Sequence, residues 1–277
     1  MFKLALDAGH GLYTAGKRCL KSLDPNETRE WWLNNRICNK MQEKLLSYEG
    51  VEVLRVDDTT GQTDITLARR CERANAWGAN FYLSVHHNAG IHGGSGGGLE
   101  VYRYLKLSAN GDTAKKQQIL FEELVKAGVS KGNRSSNIKT EDFGVLRDTS
   151  MEAVLIECAF MDSSTDVPIL LTDEFAEKVA NGCVNAIVRF GNLQKKVVAE
   201  PEVVEAPKAE ESVIEEIKKE PEAVKKTPEN TSPIPDNDEP VSEGEKTPEE
   251  LIRENENVIV SFFKFLINFI KTLWGKN

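Results

Sequence analysis

The chain has 277 residues and a formal net charge of −9, unevenly spread: 12 Lys/Arg and 19 Asp/Glu fall from residue 194 onward, leaving 23 and 25 before it. A near-neutral first part has no broad basic field to draw phosphate backbones, which argues against nucleic acid as a partner and favours a neutral polymer or peptide. Five cysteines, odd in number and without a Cys-x-x-Cys pair, argue against a disulfide framework and a thiolate zinc site, so reduced, mostly buried thiols are expected.

The first apolar run, Phe2 to Leu6, breaks at Asp7. It is too short for the core of a secretory signal, so synthesis in a cytoplasm without a signal peptide is expected. Further short apolar runs at Val51 to Val56, Phe81 to His86, Leu99 to Tyr104 and Ala153 to Cys158 read as strands. Helical periodicity fills the gaps: about 30–46 (Leu33, Ile37, Met41 and Leu45 on one face), about 65–77, about 113–127, and 172–190. This alternation predicts an α/β fold class, a mainly parallel twisted sheet flanked by helices, spanning residues 1–193.

Residues 194–246 are rich in Glu, Lys and Pro and hold no aromatic residue. Such a composition buries too little apolar surface to offset chain entropy and predicts a disordered, extended linker. At Thr247-Pro248-Glu249-Glu250 a helix start follows, opening a segment, 247–277, read as an amphipathic apolar helix. Its stretch 258–274 is short for a membrane span. The wide apolar face with Lys264 and Lys271 suits a membrane surface, with self-association or docking onto the first domain as the rival readings.

Chemistry concentrates where predicted strands end. In an open parallel sheet the carboxyl ends of strands converge on one crevice, so His10, His86 and Glu157, each at the end of a different strand, are placed to share a site. Two imidazoles and a carboxylate around an open position form the usual ligand set of a hydrolytic zinc centre, where bound water is acidified and a carbonyl polarised. A second carboxylate then manages protons, and Glu157, at the end of a near-continuous apolar strand, is suited to it. The run Gly93 to Gly98 lacks the Lys-Ser/Thr ending of a phosphate loop and reads as a flexible loop bordering the groove, with His92 exposed.

Several blocks agree in order and spacing: Asp7-Ala8-Gly9-His10-Gly11, Glu30 with Asn34, Leu67 to Asn75, Ser84-Val85-His86-His87-Asn88-Ala89, Gly98-Leu99-Glu100-Val101 and Leu155-Ile156-Glu157-Cys158-Ala159-Phe160. Together they resemble the zinc-dependent N-acetylmuramoyl-L-alanine amidases of the bacterial cell wall, the type-3 amidases, over residues 1 to about 192. The resemblance implies Zn2+ as cofactor, His10, Glu30 and His86 as metal ligands, Glu157 as the catalytic glutamate and peptidoglycan as partner. It also implies the reaction, hydrolysis of the amide between N-acetylmuramic acid and stem-peptide L-alanine, by an endolysin or autolysin that acts at the cell wall after release.

Glu30 rests on the resemblance alone. Its rival Glu27 sits one turn earlier, and Asn34, four residues after Glu30, favours Glu30. Only one of His86 and His87 can face His10 from a strand, and motif register favours His86. Arg70 and Asn75 are expected to be structural. An idle wall-binding protein, and a zinc peptidase or deacetylase acting on another wall bond, are the alternative readings.

Overall fold

The computed structural model describes residues 1–196. A six-stranded sheet holds β1 (Phe2–Ala8), β3 (Val51–Arg55), β4 (Phe81–Asn88), β5 (Glu100–Tyr104), β6 (Ile138–Glu141) and β7 (Glu152–Phe160), in the order β3-β1-β4-β7-β5-β6. Every neighbouring pair is parallel except β7 with β5. The helices are α1 (Glu30–Leu45), α2 (Leu67–Trp77), α3 (Asp112–Lys126), the single turns α4 (Gly144–Arg147) and α5 (Val167–Leu170), and α6 (Asp173–Gly191). The expected α/β class and mainly parallel sheet are what the chain adopts.

The central strands read as near-continuous apolar runs because both faces are covered. Leu4, Leu6, Leu83, Val85, Val154 and Ile156 point to one face and pack with Leu33, Ile37, Leu120, Leu124, Val179 and Cys183 from α1, α3 and α6. Ala5, Tyr82 and Leu155 point to the other and meet Cys71, Ala74, Val145 and Leu146 from α2 and α4. Each fully buried Leu or Ile contributes about 1.5–3 kcal/mol. Thr172 caps α6 by accepting a hydrogen bond from Phe175 N at 3.1 Å. Gly182 allows close approach of α3, since a Cβ there would lie 2.7 Å from Leu124 Cα. All five cysteines are free and buried, as expected.

Two expectations change. Ordered structure passes the boundary set at residue 193: Asn192 closes α6 in the left-handed conformation, and β8 (Gln194–Lys195) pairs antiparallel with β2 (Tyr48–Glu49). A two-residue ladder made by main-chain groups has no hydrophobic signature, so composition assigned 194 and 195 to the linker. The glycine run at 93–98 is not a free loop either. Asp166 accepts Gly98 N at 2.8 Å, Asn133 accepts Gly97 N at 3.0 Å, and the hydroxyls of Ser163, Ser164 and Thr165 bind its carbonyl and amide groups.

The expected linker beyond residue 196 and the helix at 247–277, including 258–274, lie outside the described residues. Among the described residues no helix is long and apolar enough to cross a membrane.

Candidate metal centre

Strands β4 and β7 run further than their apolar stretches suggest, so His86 and Glu157 lie within the strands, near their carboxyl ends. His86 and Glu157 are register partners on neighbouring strands and so share a sheet face. His10 follows β1 by two residues, with a positive φ of 66° that turns the chain over the strand ends. Gly9 makes the approach possible, because a Cβ at that position would fall inside the His86 imidazole.

Glu30 opens α1, whose first turn points at the same place. Its carboxylate lies between the two imidazoles, with His10 Nε2 3.3 Å from Oε2 and His86 Nδ1 3.0 Å from Oε1. The side-chain donor atoms of His10, Glu30 and His86 all lie within 4.8 Å of one another. Burial alone would push the Glu30 carboxyl up, but His10 and His86 hold it well below the usual carboxylate range. Burial would likewise lower His86, and Glu30 raises it instead.

Strand alternation separates the two adjacent histidines. His87 points to the α1 and α6 face, 2% exposed, with Nδ1 2.8 Å from Asn34 Oδ1 and its ring 6.1 Å from that of Phe175. Burial lowers its pKa to about 3, so it is a neutral core residue. Asn34 also donates to Gly9 O at 3.1 Å, and Glu30 Oε1 accepts His87 N at 3.2 Å. Glu27 is absent from the cluster and pairs with Arg18 and Lys21.

Glu157 is half-buried. Its Oε2 is closed off from solvent and has no hydrogen-bond partner among the described residues. Burial, and to a smaller extent Glu30 and Glu100, push its carboxyl up to about 8 against the pull of His86 and Lys17. The cleft beside it has two lobes that share His10, Leu67 and His86. One, of about 340 Å³, reaches Asp64 and Arg70; the other, of about 220 Å³, reaches Lys17, Phe143 and Glu157.

Beneath the cleft lies a closed polar network. Arg70 is 1% exposed and ion-pairs with Asp7, while its guanidinium donates to Ala8 O at 2.9 Å, His10 O at 2.7 Å and Ile65 O at 2.7 Å. Tyr82 and Ser84 hydroxyls donate to Asp7 at 2.9 and 2.8 Å. Arg70 is therefore structural, as expected, and so is Asn75, which ties α2 to Asp148 and Ser150. His92 is exposed, also as expected.

Sequence reasoning left three groups at the site without a role. Lys17 Nζ lies 3.8 Å from Glu30 Oε2. Glu100, the register partner of Glu157 on β5, is 1% exposed and ion-pairs with Arg134 and Lys139. Glu100 stands in the block Gly98-Leu99-Glu100-Val101. Lys17 and Arg134 lie in segments without periodicity or motif, and nothing in the sequence could have singled them out.

The donor set fits zinc: two imidazoles and a carboxylate converge, and the buried Glu30 Oε2 has no hydrogen bond of its own. Residues 4–189 match the family described as N-acetylmuramoyl-L-alanine amidase. The chain is 34% identical over 200 residues to an N-acetylmuramoyl-L-alanine amidase of Bacillus licheniformis, covering 72% of each. It is 35% identical over 191 residues to the endolysin of Bacillus phage SPP1, covering 69% of this chain and 66% of that one. Among solved structures, the catalytic domain of an N-acetylmuramoyl-L-alanine amidase from Bacillus (Paenibacillus) polymyxa superposes with a TM-score of 0.61 at 22% identity, over 70% of this chain and all (100%) of that one, a likeness of fold. An amidase of the same description from Clostridium difficile 630 gives a TM-score of 0.60 at 25% identity, over 69% and 97%. With a family match across two thirds of its length and relatives of this identity, the chain belongs to the N-acetylmuramoyl-L-alanine amidase family.

Proposed function

We propose that the protein hydrolyses the amide joining the lactyl group of N-acetylmuramic acid to L-alanine of the peptidoglycan stem, using zinc held by His10, Glu30 and His86 and a proton carrier, Glu157. The observation that carries the reading is the convergence of three ligand atoms within 4.8 Å, with Glu157 on the same sheet face as His86. When bound there, zinc would supply Lewis acidity, lowering the pKa of a coordinated water and polarising the scissile carbonyl.

The chain's own residues do the rest. Arg70 holds the His10 carbonyl so that the turn after β1 keeps its shape. The Glu157 carboxylate accepts a proton from the attacking water as the new C–O bond forms. As the C–N bond breaks, it returns that proton to the alanine nitrogen, which leaves as a free amine. A carboxyl pushed up to about 8 by burial is suited to take and give a proton near neutrality. Endolysin or autolysin action at the wall follows from the same reading.

Digestion of purified wall tests it. New stem-peptide amino ends are expected, lost on chelation and regained with zinc. New reducing sugar ends, released acetate, or no release at all would overturn the proposal.

A further inference from the structure

Across the carboxyl edge of the sheet, the row of polar side chains does not stop at Glu157. Antiparallel register sets Glu100 of β5 beside Glu157, on the same sheet face. Glu100 receives four donors: Asn88 Nδ2 at 2.9 Å and Tyr102 OH at 2.6 Å on Oε2, and Arg134 Nε at 2.9 Å and Lys139 Nζ at 2.5 Å on Oε1. One carboxylate is thus held by two cations, leaving one positive charge over. No ion pair joins either cation to Glu157 among the described residues, so the surplus is not spent on the catalytic group.

Arg134 is the more specific of the two. Its Nε is taken by Glu100 and its guanidinium stacks over the Phe160 ring at 5.0 Å, so the head is fixed in place. Neither Nη group donates to a described residue, and the side chain is 33% exposed. A guanidinium held by its inner edge, with its outer fork open, matches the two oxygens of a carboxylate. Phe160 pairs with Asn88 past the irregularity in the β4–β7 ladder, which places Arg134 at the rim just beyond Glu157. Adjacent strands are about 4.8 Å apart. Two residues of extended peptide span at most about 7 Å. With the stem laid from Glu157 toward β5, a group on the residue after alanine comes within one strand spacing of the scissile bond, on the side of Glu100 and the Arg134 that it holds.

We infer that Arg134, backed by Lys139, forms a carboxylate-binding subsite for the stem residue that follows alanine, and that the enzyme distinguishes a free carboxylate there from a carboxamide. The inference rests on the amidase reading and is tested apart from it. In the full chain carrying Glu157→Gln, so that no turnover competes, calorimetry compares N-acetylmuramoyl-L-alanyl-D-glutamate with the same compound bearing the carboxamide. The carboxylate form is expected to bind about 10- to 100-fold tighter, the weight of a charge-assisted pair of hydrogen bonds. Adding Arg134→Gln should bring the ratio of the two dissociation constants below about 3, and Arg134→Lys should keep part of it, because charge remains while the planar fork is lost.

Equal binding of the two compounds by the parent, absence of binding by both, or an Arg134→Gln variant that weakens both alike with the ratio intact would overturn the subsite. The last result would mean that Arg134 merely neutralises Glu100. Cleavage of each compound by the chain with Glu157 intact separates the two claims. A carboxylate preference without any cleavage leaves the subsite standing and removes the amidase reading; cleavage without preference does the reverse.

Discussion

Asp7 and Glu157 are carboxylates on the same sheet face, on strands separated only by β4, and the molecule treats them in opposite ways. Around Asp7 every polar atom is matched: Arg70, Tyr82 and Ser84 close the network, and although burial alone would push its carboxyl up, Arg70 and His86 bring it below the usual range. Around Glu157 the match is missing: Oε2 is closed off from solvent with no donor among the described residues, and the carboxyl is pushed up to about 8. The floor of the cleft uses charge to hold shape, and the rim leaves a buried carboxyl oxygen unmatched. A buried carboxylate is a stability element or a proton carrier according to whether its neighbours leave it anything to do.

The sharpest way to break this contrast is to neutralise the rim. Glu157→Gln should lower kcat by about 10²- to 10⁴-fold, the usual weight of a positioned proton carrier, with zinc content and Tm retained. Steady-state rates with elemental analysis check it. A variant that also lost its metal or melted early would place Glu157 with the structural group.

Removing the floor should do the reverse. Asp7→Ala leaves Arg70 buried without its counter-charge, and breaking such a pair costs about 3–5 kcal/mol, read by urea unfolding. The pH dependence has a definite sign. Because the folded carboxyl sits below its unfolded value of about 3.9, the stabilisation is fully present above that value and drains away as pH falls through the folded one. Wild type should therefore show an acid limb in unfolding free energy below about pH 4 that is shallower in Asp7→Asn. An identical limb in the variant would assign acid sensitivity to other carboxylates.

The same contrast explains what could be read from the chain before folding. Strands with long apolar runs and helices with four-residue apolar spacing were legible, whereas β6 was not, since Ile138–Glu141 is four residues without a buried one. The row His10, His86, Glu157 was legible because a parallel sheet gathers strand ends. Glu30 was not, because its place depends on where α1 enters over the sheet, a tertiary fact that only the resemblance supplied. Its rival Glu27 lay one turn away in sequence and ends up half-buried, paired with Arg18 and Lys21. Arg134 was invisible, being carried by a loop whose position is set by Gly97, Gly98 and Asn133.

On the opposite face of the sheet stands Asn34, which holds both Gly9 O and His87 Nδ1. Asn34→Ala leaves those two buried groups unpaired, for a loss of about 1–3 kcal/mol. As the turn carrying His10 is one of the two, zinc affinity should fall with it by about tenfold. Thermal unfolding in excess chelator separates the effects: if the stability loss persists without metal while affinity is unchanged, Asn34 belongs to the core alone.

The smallest effect is expected at Lys17, which is 45% exposed and 3.8 Å from Glu30. Glu30 is buried, but the lysine is half in solvent and 3.8 Å away, so the pair is worth no more than about 1 kcal/mol. It attracts Glu30 in the metal-free protein and repels a cation placed among the ligands, so Lys17→Met should raise zinc affinity by no more than about fivefold. Competition against a chelating dye would measure this, and raising the salt concentration should shrink it, since the group faces solvent. An affinity that instead fell tenfold would show that the rim, like the floor, depends on a fixed cation for its shape, and the division drawn between the two carboxylates would have to move outward past Lys17.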